Sequence, residues 1–344
     1  MSTARSLVSI ALAAIFAIAI ALAGFARPSA VSAATPIPAH VFSPYFETWT
    51  SDSLTTTAKH SGARYFTLAF LETLGKQSCT LAWNGESSRT ISSGAYINDI
   101  HSLRALGGDV IPSFGGWSAD QGGTEIGDSC KDVNKIAAAY EKVIKAYNVS
   151  RLDMDVEGKS LGRSAGIDRR NKAIALVQQW AEAHNRPLKI SYTLPTSRDG
   201  LESDALAVLQ NAISNGVRID IVQPMVFDYY DGEDIDMGHS AITALRGLHS
   251  QLASLMPLRT STNLWALEGA TIMNGRDDYP TAIETTRVSD AKQLKAFAES
   301  KGMAVLAMWA IQRDNGGCPG NPGSDDCSGI TQHAWAFTKV LKGF

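Results

Sequence analysis

Three acidic residues stand at alternate positions of one short segment: Asp153, Asp155 and Glu157. The segment is typical of a β-strand, and strand side chains alternate between two faces, so the three carboxyl groups share one face. The residues between them are apolar and form the other face. Carboxyl groups that share a buried face repel one another and lose solvation, so some keep a proton near neutral pH. Such an arrangement indicates an active site that uses a general acid.

Two other interpretations of this segment stay open, an exposed polar edge strand and a metal site of oxygen ligands. An edge strand has no need of an apolar opposite face. Zinc is not indicated, because the seven histidines are scattered without a pair at ligand spacing and no H-E-x-x-H motif occurs. We therefore expect a catalytic role for Glu157, with no metal and no cofactor.

The elements that must position these acids follow a regular pattern. Short β-branched or aromatic runs alternate with longer amphipathic stretches, which predicts an α/β fold of one domain, a (β/α)8 TIM barrel. A doubly wound sheet is the alternative, but it usually carries a Gly-rich phosphate loop after its first strand, and none follows here. The predicted strands are 40–47, 63–71, 109–114, 149–157, 188–194, 219–227, 262–268 and 304–311.

A barrel also fixes the direction in which the acids point. The outer face of each strand packs on helices and must be apolar, so the three carboxyl groups turn toward the barrel axis. Glu157 then stands last, at the carboxyl end of its strand, where barrel enzymes place their chemistry.

Residues 1–33 have the features of a signal peptide. Arg5 precedes an uncharged stretch rich in Ala, Leu and Ile, and small residues lead up to Ala34. An uncleaved anchor is the alternative, since about 20 apolar residues can span a bilayer. We expect cleavage, a secreted chain of residues 34–344, and no membrane association of that mature form.

Composition and cysteine content narrow the class of protein. With 44% hydrophobic and 19% charged residues and a net charge of −3, the chain is an ordinary globular protein with no indication of a nucleic-acid partner. We expect a monomer.

The four cysteines suit an oxidising compartment. Of three possible pairings we favour Cys79 with Cys130 and Cys318 with Cys327, and four buried thiols are the alternative.

Four segments resemble motifs of glycoside hydrolase family 18, the chitinases and their relatives. Residues 150–157 resemble the signature D-x-x-D-x-D-x-E, with Ser150 in place of the first Asp. Residues 113–116 match S-x-G-G, and residues 225–228 resemble M-x-Y-D with Phe227 in place of Tyr. Trp309 matches the Trp of the eighth strand, which forms the floor of the sugar site.

The resemblance implies hydrolysis of chitin or chito-oligosaccharides, in which the 2-acetamido group of the sugar replaces an enzyme nucleophile. Glu157 is then the general acid and later the base. Asp155 orients the acetamido group, and Asp153 either shares a proton with Asp155 or is structural. A tyrosine hydroxyl is expected to hold the acetamido oxygen. Tyr229 is the substitute for Phe227 in that role, and a water molecule or Gln223 is the alternative.

The resemblance also implies a set of substrate-binding residues on the strand ends. Trp309 and Trp117 offer flat faces for sugar rings, and Ser113 is placed to bond Asp153. The complete set is Tyr45, Ser113, Gly115, Gly116, Trp117, Gln223, Met225, Phe227, Asp228 and Trp309.

The interval 268–304 is too short for the small α+β domain that many relatives insert there, which predicts an open groove and endo-type cleavage. An endo-β-N-acetylglucosaminidase acting on N-glycans shares the signature and is an alternative. A non-catalytic chitin-binding barrel is another, although such proteins typically lose the acid at the position of Glu157.

Overall fold

Eight parallel strands form the centre of the molecule. The structure is a computed structural model, and it describes residues 33–230, 232–233, 236–278, 284–321 and 324–344. The strands are β1 (Val41–Phe42 with Tyr45–Glu47), β2 (Tyr65–Thr73), β3 (Asp109–Gly115), β4 (Arg151–Asp155), β5 (Lys189–Ser197), β6 (Ile221–Met225), β7 (Gly269–Met273) and β8 (Val305–Trp309).

The strands close into a barrel. Each pairs in parallel with the next along the chain, and β8 pairs with β1 through Val41 opposite Val305. The two parts of β1 are separated at Ser43 and Pro44, and proline has no N–H to give to a sheet. The predicted (β/α)8 barrel is confirmed.

Helices cover the outside of the barrel and its rim. They are α1 (Leu54–Ser61), α2 (Ile97–Ala105), α3 (Trp117–Gly122), α4 (Ile126–Ser129), α5 (Val133–Tyr147), α6 (Gly158–Leu161), α7 (Ser164–Ala183), α8 (Ser203–Ser214), α9 (Met237–Leu255), α10 (Ser261–Trp265), α11 (Val288–Lys301) and α12 (Ala336–Leu341). Short strands add local pairs: Leu81–Trp83 on β2, Gly200–Leu201 on β5, and Gly275–Arg276 with Thr285–Thr286.

The helices pack on the barrel through apolar faces. In α5, the side chain of Asp132 accepts the first free N–H groups of the helix. Ile136, Tyr140 and Val143 recur at helical spacing and are fully buried. Each such side chain stabilises the fold by roughly 1.5–3 kcal/mol through removal from water.

The predicted seventh strand, 262–268, is wrong. Its residues form α10 and the turn after it, and β7 begins at Gly269. The side chain of Thr260 accepts the N–H of Asn263 and starts the helix, a local cap that the apolar composition of the segment does not reveal. The predicted acidic strand 149–157 also ends early, at Asp155.

Two disulfides join segments of the chain outside the barrel strands. The structure joins Cys79 to Cys130 and Cys318 to Cys327, which are the pairs that the sequence favoured. The predicted signal peptide lies outside the described residues, except for Ala33. Among the helices that the structure describes, none is both long and apolar enough to cross a bilayer.

Candidate active site

Asp153 lies on the barrel axis and is held by hydroxyl groups. Its Oδ2 accepts hydrogen bonds from Ser113 at 2.7 Å and Tyr45 at 3.0 Å. Its Oδ1 accepts hydrogen bonds from Ser191 at 2.7 Å and Thr193 at 3.0 Å. Burial raises the pKa of Asp153, and these four hydrogen bonds act in the opposite direction. Four donors favour the ionised form, so Asp153 carries a negative charge more readily than Asp155, whose pKa is raised further.

Asp155, two residues further on, has a different environment. It is 3% exposed, and among the described residues its Oδ1 has no hydrogen-bond partner. Burial raises its pKa well above the usual range, and the nearby charges of Glu157, Asp153 and Asp120 raise it further. A proton shared within this group of acids therefore resides on Asp155.

Glu157 stands just beyond the end of β4, at the N-cap of α6, and is half-buried. Burial raises its pKa to about 7, with a contribution from the charge of Asp278, while a hydrogen bond from the Trp117 backbone lowers it. A carboxyl group with a pKa near neutrality can give up a proton and take it back, as a general acid and base must.

Asp120 of α3 fixes the backbone of Glu157, and the sequence analysis missed it. It is fully buried, its Oδ2 accepts the N–H of Glu157, and its Oδ1 accepts the hydroxyl of Ser160 at 2.9 Å. Asp120 follows the Ser-Phe-Gly-Gly segment by four residues. An acidic residue one helical turn after that motif was the signal in the sequence that could have identified it.

Gly115 and Gly116 let β3 approach its neighbours closely. Both have positive φ, of 102° and 82°. A Cβ on Gly115 would meet the carbonyl oxygen of Asp155 at 2.1 Å, and one on Gly116 would meet the ring of Phe70 at 2.5 Å. Glycine is thus required at both positions by the scaffold of the site, and their predicted contact with substrate stays a prediction.

Aromatic rings gather around Trp309 at the end of β8. Trp309 stacks on Phe70 with centroids 5.5 Å apart, and Tyr45 and Trp49 lie 5.6 and 5.9 Å from it. Trp309 stays partly exposed, as a sugar platform requires. Tyr45 is only 1% exposed. Its hydroxyl reaches Asp153, so it supports that carboxylate from below the surface and does not line the groove.

Trp117 lies next to Glu157 and is 58% exposed, so it is not a core residue. Trp83 and Trp265 are, by contrast, packing residues. Trp83 is fully buried and donates to Tyr147 at 2.8 Å, and Trp265 stacks on the ring of His249.

The end of β6 carries an apolar cluster with one tyrosine beside it. Met225 and Phe227 pack with Met273 and Met237, and Tyr229 and Trp309 lie against this group. The strand ends at Met225, so strand alternation does not set the direction of the Tyr229 side chain. The structure brings Tyr229 to the same apolar cluster as Trp309, and its role stays a prediction.

Gln223 and Asp228 lie on either side of that cluster along the chain. Gln223 is buried and donates to Thr271 at 2.6 Å across the barrel strands. Asp228 has a positive φ of 52°, and its N–H donates to Asp277 at 2.8 Å.

Acids of the loop after β7 lie beside Asp228, and the sequence analysis did not name them. Burial, together with the negative charge of the neighbouring Asp278, raises the pKa of Asp228 to about 8. Burial and Asp228 raise the pKa of Asp277 to about 10. Glu284 accepts the N–H groups of Tyr229 and Tyr230 at 3.0 and 3.1 Å. Among the described residues, no group of three His, Cys, Asp or Glu side chains is placed to hold a metal ion.

Comparison with known proteins gives consistent matches. A model of the glycosyl hydrolases family 18 matches residues 41–274. The chain is 30% identical over 321 residues to a probable bifunctional chitinase/lysozyme of Escherichia coli (strain K12), covering 89% of this chain and 35% of that protein. It is 31% identical over 289 residues to endochitinase 11 of Metarhizium anisopliae, covering 80% of this chain and 53% of that protein. The chain therefore spans about half of these relatives or less.

Solved structures extend the likeness to three dimensions. Active domain 2 of a thermostable chitinase from Pyrococcus furiosus, a catalytic-site mutant complexed with chito-oligosaccharides, matches with a TM-score of 0.78 at 29% identity. The match covers 90% of this chain and 95% of that one. The catalytic domain of a hyperthermophilic chitinase from the same organism matches with a TM-score of 0.75 at 30% identity.

Proposed function

The chain belongs to glycoside hydrolase family 18, and on that premise we propose that it is a chitinase. Its substrate is a chain of β-1,4-linked N-acetylglucosamine, and the reaction is substrate-assisted hydrolysis with retention of the anomeric configuration. The observation that carries the proposal is the row of three acids, in which Asp153 is anchored by hydroxyls while Asp155 and Glu157 have raised pKa values.

In the first step Glu157 gives its proton to the glycosidic oxygen. The bond between that oxygen and C1 breaks, and the carbonyl oxygen of the 2-acetamido group bonds to C1, which forms an oxazolinium ion. Glu157 is left as a carboxylate.

Asp155 accepts a hydrogen bond from the acetamido N–H during this step. A neutral carboxyl group still offers its carbonyl oxygen as an acceptor. The positive charge that develops on the oxazolinium favours the ionised form of Asp155, so its proton moves toward Asp153. The Tyr229 hydroxyl holds the acetamido oxygen, and Trp309 forms the floor under the sugar.

In the second step a water molecule attacks C1, and the Glu157 carboxylate takes a proton from it. The bond between C1 and the acetamido oxygen breaks, and Glu157 is again a neutral acid. Two displacements at C1 leave the product in the configuration of the substrate.

We also propose an open groove, endo-type cleavage, and a secreted monomer. The described residues between β7 and β8 form a two-stranded ribbon and α11. Such a short connection supports access to internal bonds of a long chain. Secretion rests on the sequence of residues 1–33 and on the two disulfides.

The test is hydrolysis of soluble chitin hexamer by residues 34–344, followed by proton NMR during the first minutes and by product analysis. We expect dimers and trimers whose new reducing ends are initially β. A high-mannose glycoprotein serves as the second substrate. Release of its glycan with the hexamer left intact would contradict the proposal, and so would binding of the hexamer without cleavage.

A further inference from the structure

A second pocket lies on the rim of the barrel, beside the candidate active site. Its volume is about 530 Å³. The loops after β2, β3 and β4 line it, and they bring four cationic side chains together. These are Lys76, Lys131, Arg163 and Arg169.

The pocket holds more positive charge than its surroundings neutralise. Asp128 is the one carboxylate in its lining, and it pairs with Arg163 at 2.7 Å. Lys131 and Arg169 donate to the backbone carbonyl oxygens of Asp128 and Gly127, which hold them in place without neutralising them. Lys76 has no polar partner among the described residues. Four cations against one anion make this lining strongly positive in a chain whose net charge is −3.

A disulfide fixes the two walls of the pocket before any ligand arrives. Cys79 and Cys130, with Cα atoms 4.8 Å apart, join the loop of Lys76 to the segment of Lys131. The hydroxyl of Ser129 reinforces this joint, donating to the carbonyl oxygens of Gly75 and Ser78 at 2.9 Å each. Held in this way, the cations need little reorganisation on binding.

We propose that this pocket binds an anionic group, a phosphate or a carboxylate. The planar guanidinium groups of Arg163 and Arg169 fit both oxyanions in bidentate geometry. The first turn of α7 lines the same pocket, and its N-cap residue makes no side-chain capping bond, so the positive end of the helix adds to the attraction. Chitin is uncharged and offers no anionic group to this pocket, so this function is separate from the hydrolysis proposed above.

The pocket is connected to Glu157 by hydrogen bonds. Arg163 pairs with Asp128, and the Ser160 hydroxyl contacts both Asp128 and Asp120. Asp120 in turn accepts the N–H of Glu157. An anion that draws Arg163 away from Asp128 therefore perturbs the residues that hold the general acid.

The test is isothermal titration of residues 34–344 at low salt with inorganic phosphate, and separately with a tetrasaccharide of alternating glucuronate and N-acetylglucosamine. We expect saturable binding at one site, which requires no hydrolysis to observe. Tighter binding of the tetrasaccharide assigns the pocket to a carboxylated glycan, and tighter binding of phosphate assigns it to a free anion.

Variants separate this site from general charge attraction. Lys76→Glu, at an exposed position, should weaken binding about tenfold or more because it replaces an attraction by a repulsion at short range. Lys339→Glu makes the same charge change on exposed α12 and should leave binding unchanged. Lys76→Gln is the milder variant if the reversal harms folding. No saturable binding, or equal losses in the Lys76 and Lys339 variants, would overturn the proposal.

Discussion

At the scale of residues, the site shows how three similar carboxyl groups acquire different protonation states. Asp153 has four hydroxyl donors, whereas Oδ1 of Asp155 has none among the described residues. Glu157 lies beyond the strand and is only half-buried. Environments that push neighbouring pKa values apart assign the acid and the anion.

The pKa of Glu157 gives a prediction about pH. As a general acid Glu157 must be protonated, so kcat/KM should fall as pH rises through about 7. Asp278 raises that pKa by its negative charge. Asp278→Asn should therefore lower the pKa and move the alkaline limb of the profile to lower pH. The measurement is kcat/KM against pH with a fluorogenic chito-oligosaccharide.

Glu299→Gln provides the control, because it removes one negative charge from an exposed position on α11. Its profile should coincide with that of the native protein. An Asp278→Asn profile that stays in place, or moves to higher pH, would show that Asp278 does not act on the general acid.

Sequence alone could find the three acids because alternation along a strand is a local property. It did not identify Asp120, which lies one helical turn after the Ser-Phe-Gly-Gly segment, and it could not find Asp278 or Glu284, which lie in a loop far along the chain from the three acids. The family resemblance also gave Tyr45 as a substrate-binding residue, because a motif match gives the position of a side chain in the chain but not its depth in the fold.

At the scale of elements, the active site depends on how strands end. β3 ends in two glycines of positive φ, and the chain then enters α3, which carries Asp120. β4 ends at Asp155, and the next turn places Glu157 at the start of α6. Both short helices serve to fix one backbone, that of Glu157.

The glycine at the end of β3 can be tested directly. Gly116→Ala puts a Cβ 2.5 Å from the Phe70 ring at a φ of 82°, so the Phe70 ring must shift and its stacking on Trp309 is disturbed. We expect a loss of stability of roughly 1–3 kcal/mol and weaker substrate binding. Thermal unfolding and KM for chitin hexamer measure the two effects.

Gly162→Ala is the matched control, because that glycine has a φ of −88° and its nearest neighbour to an added Cβ is 3.8 Å away. It should unfold at the native temperature or slightly above. If Gly116→Ala behaves in the same way, the close contact between Gly116 and Phe70 is not needed for stability.

Element types were predictable where periodicity was strong, as in α5 and the acidic strand. The seventh strand was misplaced because 262–268 is rich in apolar residues, although Thr260 just before it caps a short helix. Boundaries elsewhere moved by a few residues, since caps and strand ends depend on hydrogen bonds that composition does not reveal.

At the scale of the whole molecule, the barrel gathers many buried acids at one end. The pKa of Glu47 is raised to about 9, that of Asp228 to about 8 and that of Asp277 to about 10, with burial the largest cause in each case. Both oxygens of Glu47 lack a hydrogen-bond partner among the described residues. The fold class followed from the sequence, but this accumulation of acids depends on closure of the barrel.

These raised pKa values predict how stability varies with pH. In the folded state these carboxyl groups keep protons that they release near pH 4 in the unfolded state. Their protonation therefore stabilises the fold in full below pH 4, and this contribution is lost as pH rises through 8–10. We expect the unfolding temperature to be at least ~5 °C lower at pH 9.5 than at pH 6. Glu47→Gln should reduce the difference. Equal unfolding temperatures at both pH values would contradict these pKa assignments.

The central claim is that Glu157 is the general acid of a chitinase. Its most direct test is the hydrolysis of chitin hexamer by the native protein and by Glu157→Gln, with hexamer binding measured calorimetrically for both. We expect kcat to fall by about 10²-fold or more in the variant, while the dissociation constant stays within about threefold. A variant that cleaves the hexamer at close to the native rate would contradict it.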